Sequence, residues 1–129
     1  MVIINRAYAA TYHLPIDVPK NNYAFQFKDL LEKNIRTKQR VQEYADMLNK
    51  SPKTLANILS SYHQPSAIRI IHNRIQAEAE RLLLYTTKSS KEIAQMLGFE
   101  DQATFSRFFK NATGLSTTEY RRQYKKETV

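Results

Sequence analysis

The chain has 129 residues, enough for one modest core, with 20 Lys and Arg against 12 Asp and Glu for a net charge of +8. It has no cysteine, so neither a disulfide framework nor a thiolate metal site can form, which fits a cytoplasmic location. No apolar run approaches the ~20 residues of a membrane span, and the basic excess favours a polyanionic partner, either nucleic acid or an acidic membrane surface.

Residues 1–24 are weakly patterned. Pro15 and Pro19 bracket an extended stretch, and Asn21 and Asn22 follow, which reads as linker or the remnant of a preceding domain. Residues 25–35 place Phe27, Leu30 and Leu31 on one face of a short helix. A basic connector, residues 36–40, leads on, with Thr37 as a candidate cap for the next helix.

From Glu43 the chain repeats itself. Glu43, Ala45, Met47 and Leu48 match Glu92, Ala94, Met96 and Leu97 at an offset of 49; Ser51, Leu55, Leu59 and Ser66 match Asp101, Phe105, Phe109 and Ser116 at an offset of 50. A repeat fixes architecture before detail does. The unit is a helix, a tight turn and a second helix. Asn49 and Gly98 stand at the turn, both residues that accept a left-handed backbone. Ser51 followed by Pro52 starts one second helix; Asp101 caps the other.

Each second helix has a core face and a contrasting outer one. In the first copy Leu55, Ile58, Leu59 and Tyr62 point in, and Lys53, Ala56, Asn57 and Ser60 point out. In the second, Phe105, Phe108, Phe109 and Ala112 point in, and Ala103, Ser106, Arg107 and Lys110 point out. Both outer faces exclude Asp and Glu, as a face pressed against phosphates and base edges requires; a merely solvated face mixes Glu with Lys.

Between the copies, residues 66–87 carry Ile68, Ile71, Ile75, Ala79 and Leu82 at helical spacing, with Arg69, His72, Arg74, Glu78 and Arg81 between them. About twenty residues make a rod of roughly 30 Å. Ser116 with Glu119 forms a capping box for a last short helix in which Tyr120 packs. The expected fold is therefore all-α, about seven helices, with two helix-turn-helix units at 37–64 and 89–114, a linker helix at 66–87 and a last helix at 116–125, in a domain covering 25–129.

A single helix-turn-helix is weak evidence for DNA binding. Two on one rod are stronger, because successive major grooves on one side of a duplex lie ~34–36 Å apart. A helical adaptor that binds a protein, such as an RNA polymerase subunit, through the same basic surface is the competing reading. Paired carboxylates in an apolar setting, a nucleophile elbow and a phosphate-cradling glycine loop are all missing, and His13, His63 and His72 lack metal-ligand spacing, so neither an enzyme nor a cofactor is expected.

The stretches EYADML…SPKTL and TTKSSKEIAQMLGFEDQATFSRFFKNATGLSTTEYRR resemble the C-terminal DNA-binding domain of the AraC/XylS family of bacterial transcription regulators, over roughly residues 25–125. The resemblance implies seven helices and two helix-turn-helix units whose second helices enter major grooves. It places the base-facing positions on Lys53, Ala56 and Asn57, and on Gln102, Ala103, Thr104 and Arg107. It makes Arg74 a structural or phosphate-binding arginine, and it implies a regulator that commonly carries a further domain. Gln64 stands where the family usually has the glycine that Gly114 supplies in the second copy. With Pro65 after it, this leaves the first unit's exit loosely specified.

Side-chain chemistry refines these positions. Arg107 can bond guanine O6 and N7 together, and Asn57 can do the same for adenine N6 and N7. Ala56 and Ala103 offer only a thymine-methyl contact or clearance, and Gln102 can read a base or touch a phosphate. Phosphate contacts fall on Ser51, Ser60, Arg74, Ser106 and Lys110, and the chemistry of Lys53 and Thr104 suits phosphate as well as base. The partner expected is double-stranded DNA, bound by a monomer, with RNA polymerase as a second candidate.

Overall fold

A computed structural model describes residues 22–125. Within them the chain forms seven helices and no strand: α1 Tyr23–Asn34, α2 Val41–Met47, α3 Pro52–Ser61, α4 Ala67–Tyr85, α5 Ser90–Met96, α6 Gln102–Thr113 and α7 Thr117–Tyr124. Residues 1–21, which include most of the expected linker and His13, lie outside the described residues.

The caps explain most boundaries. Asn22 accepts a hydrogen bond from the Phe25 N–H at 3.0 Å, so α1 begins two residues earlier than its apolar pattern shows. Ser51, Ser66, Ser89, Asp101 and Ser116 each accept from the backbone N–H three residues on. Thr37 does not cap α2. That role falls to the backbone of Arg40, and the Glu43 carboxylate reaches back to the N–H groups of Arg40, at 3.0 Å, and Gln39, at 3.2 Å.

The expected repeat is a repeat in space. α1, α2 and α3 pack together, with α2 and α3 against α4; α5, α6 and α7 pack together, with α5 and α7 against the same helix. α4 thus closes the first unit and leads the second. It can do both because buried residues run its whole length: Ala67, Ile71 and Ile75, then Ala79, Leu82 and Leu83. Full burial of each isoleucine or leucine among them contributes ~1.5–3 kcal/mol, so neither unit can detach from α4 cheaply.

Four residues sit differently from the periodic reading. Ile68 is exposed and Ala67 takes its place in the core. Tyr62 is 49% exposed, because α3 ends at Ser61 and the chain turns out of the helical register. Ala112 is exposed on the last turn of α6. Glu78, expected among the outward charges, is buried.

Candidate DNA-binding surface

The turn inside each unit is made by one left-handed residue, Asn49 at φ 58° and Gly98 at φ 78°. In both, the N–H of the following residue bonds back to the carbonyl of the leading helix, Lys50 to Ala45 and Phe99 to Ala94, each at 2.9 Å. This closure sets the angle at which α3 and α6 leave their partners. The core faces then orient them: Leu55 and Leu59 of α3, and Phe105 and Phe109 of α6, are fully or almost fully buried.

What remains outside is the surface anticipated from the sequence. Lys53, Ala56, Asn57 and Ser60 on α3, and Gln102, Ala103, Arg107 and Lys110 on α6, are exposed. Of the seven described helices, only α3 and α6 contain no Asp or Glu. The side chains of Lys53, Asn57, Ser60 and Gln102 have no hydrogen-bond partner among the described residues. Polar groups left unpaired on two corresponding helix faces are groups available to a ligand.

Other expected contacts are partly engaged already. The Ser51 hydroxyl caps Thr54 N at 3.0 Å and bonds Thr54 Oγ1 at 2.9 Å. Thr104 is half-buried, with the Arg107 guanidinium 3.5 Å from its hydroxyl, and Ser106 is half-buried too. Lys110 lies 3.6 Å from Glu119 of α7, an exposed pair. Glu119 is an acid that no reading of α6 alone could place beside its face. Surface pairs of this kind are worth little, so the ammonium can exchange a carboxylate for a phosphate at small cost.

Arg74 has the geometry of the structural role. Its guanidinium meets Glu32 of α1 at 2.6 and 3.1 Å and Glu78 at 3.5 Å. Glu78 also accepts from Arg81 at 2.8 Å and from Arg36 at 2.9 Å. The bonds from Arg81 and Arg36 outweigh burial and hold its carboxyl near about 2. Sequence spacing alone could have grouped Arg74, Glu78 and Arg81 on one helix face; nothing in it pointed to Arg36 or Glu32. The cations near the end of α7 are engaged as well. Arg121 donates to the carbonyls of Leu83 at 2.9 Å and Thr86 at 3.2 Å, and Lys125 to Thr86 at 2.7 Å. These cations satisfy the C-terminal carbonyls of α4 and complement its dipole.

The first unit's exit is closed without a glycine at position 64. His63, at φ 57°, takes the left-handed conformation one residue earlier than Gln64. Gln64 N–H then bonds Leu59 O at 2.9 Å, and its side chain accepts from Lys28 of α1 at 2.5 Å. The exit is tied down on two sides.

A tandem helix-turn-helix fold with two acid-free recognition faces defines a DNA-binding domain. The family model described as "Helix-turn-helix domain" matches residues 44–123. The chain belongs to the AraC/XylS family of transcription regulators, as a DNA-binding domain and not as an enzyme. Among solved structures it resembles the C-terminal domain of AraT, a response regulator from Geobacillus stearothermophilus, at TM-score 0.74 and 28% identity, over 80% of this chain and 86% of that one. The DNA-binding domain of AdpA, solved with a target DNA, shares the fold at TM-score 0.69 and 20% identity, over 78% and 90% of the two chains. A curated relative, the raffinose operon regulator RafR of Pediococcus pentosaceus, is 27% identical over 92 residues. The match covers 71% of this chain and 33% of RafR, so the chain spans about a third of that relative's length.

Proposed function

We propose that the domain binds duplex DNA sequence-specifically as a monomer, with α3 in one major groove and α6 in the next. The observation that carries this is the pair of acid-free faces, with Asn57 and Arg107 at corresponding positions on α3 and α6. Arg107 reads a guanine and Asn57 an adenine. Lys53, Gln102 and Thr104 share the work between base edges and phosphates, Ala56 and Ala103 give thymine-methyl contact or clearance, and Ser51, Ser60, Ser106 and Lys110 hold phosphates. Arg74 acts on DNA only through the placement of α4 against α1. We assign the DNA-binding domain to residues 25–129 and the regulator to the bacterial cytoplasm, with RNA polymerase as a second partner.

Selection of sites from random duplexes followed by footprinting tests the reading. Protection over two successive major grooves is expected; a footprint confined to one groove would sink it. Arg107→Ala should relax base preference in one half of the site at ~1–3 kcal/mol, while Lys110→Ala weakens all sequences alike and lowers the salt slope by ~1. Binding through a protein partner instead would show no steep salt dependence on duplex DNA.

The shape of the complex follows from the linker. α4 has 19 residues, about 28 Å at ~1.5 Å each, against a groove repeat of ~34–36 Å. The tied exit at Gln64 denies the first unit an easy pivot. The complex is therefore bent, at an elastic cost on the order of 1–6 kcal/mol that added phosphate contacts offset, with flexible pyrimidine–purine steps favoured between the half-sites. Circular-permutation mobility checks it, and no position-dependent shift would mean straight DNA.

A further inference from the structure

The two units touch each other as well as α4. The α1–α2 loop, residues 35–40, reaches across to the turn of the second unit. Gln39 Nε2 donates to the carbonyl of Leu97. Beside it Gly98 packs so closely that a Cβ there would stand 2.8 Å from the Arg36 carbonyl oxygen, nearer than real Cβ atoms come. The same loop is held by the first unit's core, where Ile35 is buried and the Tyr44 hydroxyl donates to Lys38 O at 2.7 Å. It is held by the linker helix through Arg36 and Glu78, 2.9 Å apart. One six-residue loop is thus fastened to three bodies. Thr37, Arg40, Glu100 and Thr104 line one groove beside the clasp, so it lies against the first turn of α6.

We propose that this clasp fixes the relative placement of α3 and α6, and that Gln39 and Gly98 are positioning residues that set the half-site spacing the domain accepts. The proposal rests on the reading that both recognition helices engage DNA. One base pair more or less between the half-sites shifts one of them by ~3.4 Å and rotates it by about 35°, since a turn of ~34–36 Å holds 10–10.5 base pairs. Units held only by packing on α4 can follow part of that displacement by swinging about the helix. Units clasped at Gln39 and Gly98 cannot.

Gly98 is a glycine for two separable reasons, and substitution can part them. Asparagine satisfies the left-handed turn, as Asn49 does in the first unit, yet its Cβ would still meet Arg36 O. Gly98→Asn therefore opens the clasp while keeping the turn. Gln39→Leu removes the donor to Leu97 by an independent route. Gly114→Asn is the control, because Gly114 is also left-handed, at φ 82°, with nothing within 4 Å of its would-be Cβ.

The test is binding to the selected duplex and to versions with one base pair inserted or deleted between the half-sites. The wild-type domain and Gly114→Asn should bind the altered spacings at least about tenfold more weakly, a penalty of the size of one mismatched base pair. Gly98→Asn and Gln39→Leu should narrow that ratio to about threefold or less, while circular dichroism shows both folded. Equal losses on all three duplexes, with the ratio unchanged, would overturn the proposal and leave Gln39 and Gly98 merely structural. A wild-type domain that binds a half-site duplex as tightly as the full site would overturn the two-groove reading itself, and the clasp's role with it; the wild-type arm alone reveals that case.

Discussion

At its tight turn the first unit uses Asn49 and the second uses Gly98; at the exit of the recognition helix the first uses His63 and the second Gly114. The cores differ in the same sense. In the second unit Phe99, Phe105, Phe108, Phe109 and Tyr120 form a connected set of rings with centroids 5.2 to 6.0 Å apart. Among the described residues the first has one edge-to-face pair, Phe27 on Tyr44 at 5.6 Å, in a core otherwise mostly aliphatic. α5 opens with a reciprocal capping box of Ser89 and Glu92, whereas at the N-terminus of α2 Glu43 is joined only by the Arg40 backbone. One backbone plan is reached by two chemistries. The second unit meets its conformational demands with residues suited to them. The first meets the same demands with less suitable residues, and compensates with ties to neighbours: Gln64 to Lys28, Arg74 to Glu32, Arg36 to Glu78.

The largest test of this difference is removal of the carboxylate that Arg36 and Arg74 share. Glu78→Gln keeps the shape but withdraws the charge that faces Arg36, Arg74 and Arg81. We expect a loss of about 1–3 kcal/mol, below the ~3–5 kcal/mol of a fully buried pair because the three guanidiniums are partly solvated. Hydrogen exchange should then accelerate in α2 and α3 more than in α5 and α6; uniform acceleration would mean that the units do not differ in their dependence on the network. Acid acts on the same group. Its folded carboxyl titrates near about 2, below the ordinary value of 4.5. The stabilisation is present above pH ~4.5 and is lost as pH falls towards 2. The wild-type domain should lose this increment of stability over that range and Glu78→Gln should not.

The next effect separates the second unit's two glycines. Both are left-handed, so alanine strains either by about 1–2 kcal/mol. Only at Gly98 would the added carbon also meet backbone, at 2.8 Å from Arg36 O. Urea melts should place Gly98→Ala at least about 1 kcal/mol below Gly114→Ala, in keeping with overpacking costs. Equal destabilisation would mean that the loop yields freely and the clasp is soft.

The seven helices, the two turns and the outer faces of α3 and α6 were readable in the sequence because they depend on local signals: helical spacing, cap residues and a repeat that stated each turn twice. The failures were of two kinds. Tyr62 and Ala112 were assigned inward by extending a period of 3.6 past the point where α3 ended or α6 reached solvent; periodicity does not announce where packing stops. Glu78 reads as surface charge because its partner Arg36, 42 residues away, is brought near only by the fold. A charge is legible as surface only when nothing distant needs it. The clasp was invisible for the same reason, since Gln39 and Leu97 are 58 residues apart.

The smallest effect is the most direct measure of strain in the first unit. His63 holds a left-handed backbone at φ 57° with an exposed side chain. A residue with a Cβ loses roughly 1–2 kcal/mol in that conformation, and the imidazole makes no described contact that would repay it. Glycine removes the strain but adds unfolded-state freedom worth about 0.5–1 kcal/mol. The balance favours His63→Gly by about half a kcal/mol. Asn49→Gly should come out near zero, because asparagine already tolerates the left-handed region. Thermal melts of the two variants beside the wild type resolve the order. A destabilised His63→Gly would show that the histidine is held there by something other than chance, and that the first unit is no more strained at its exit than the second.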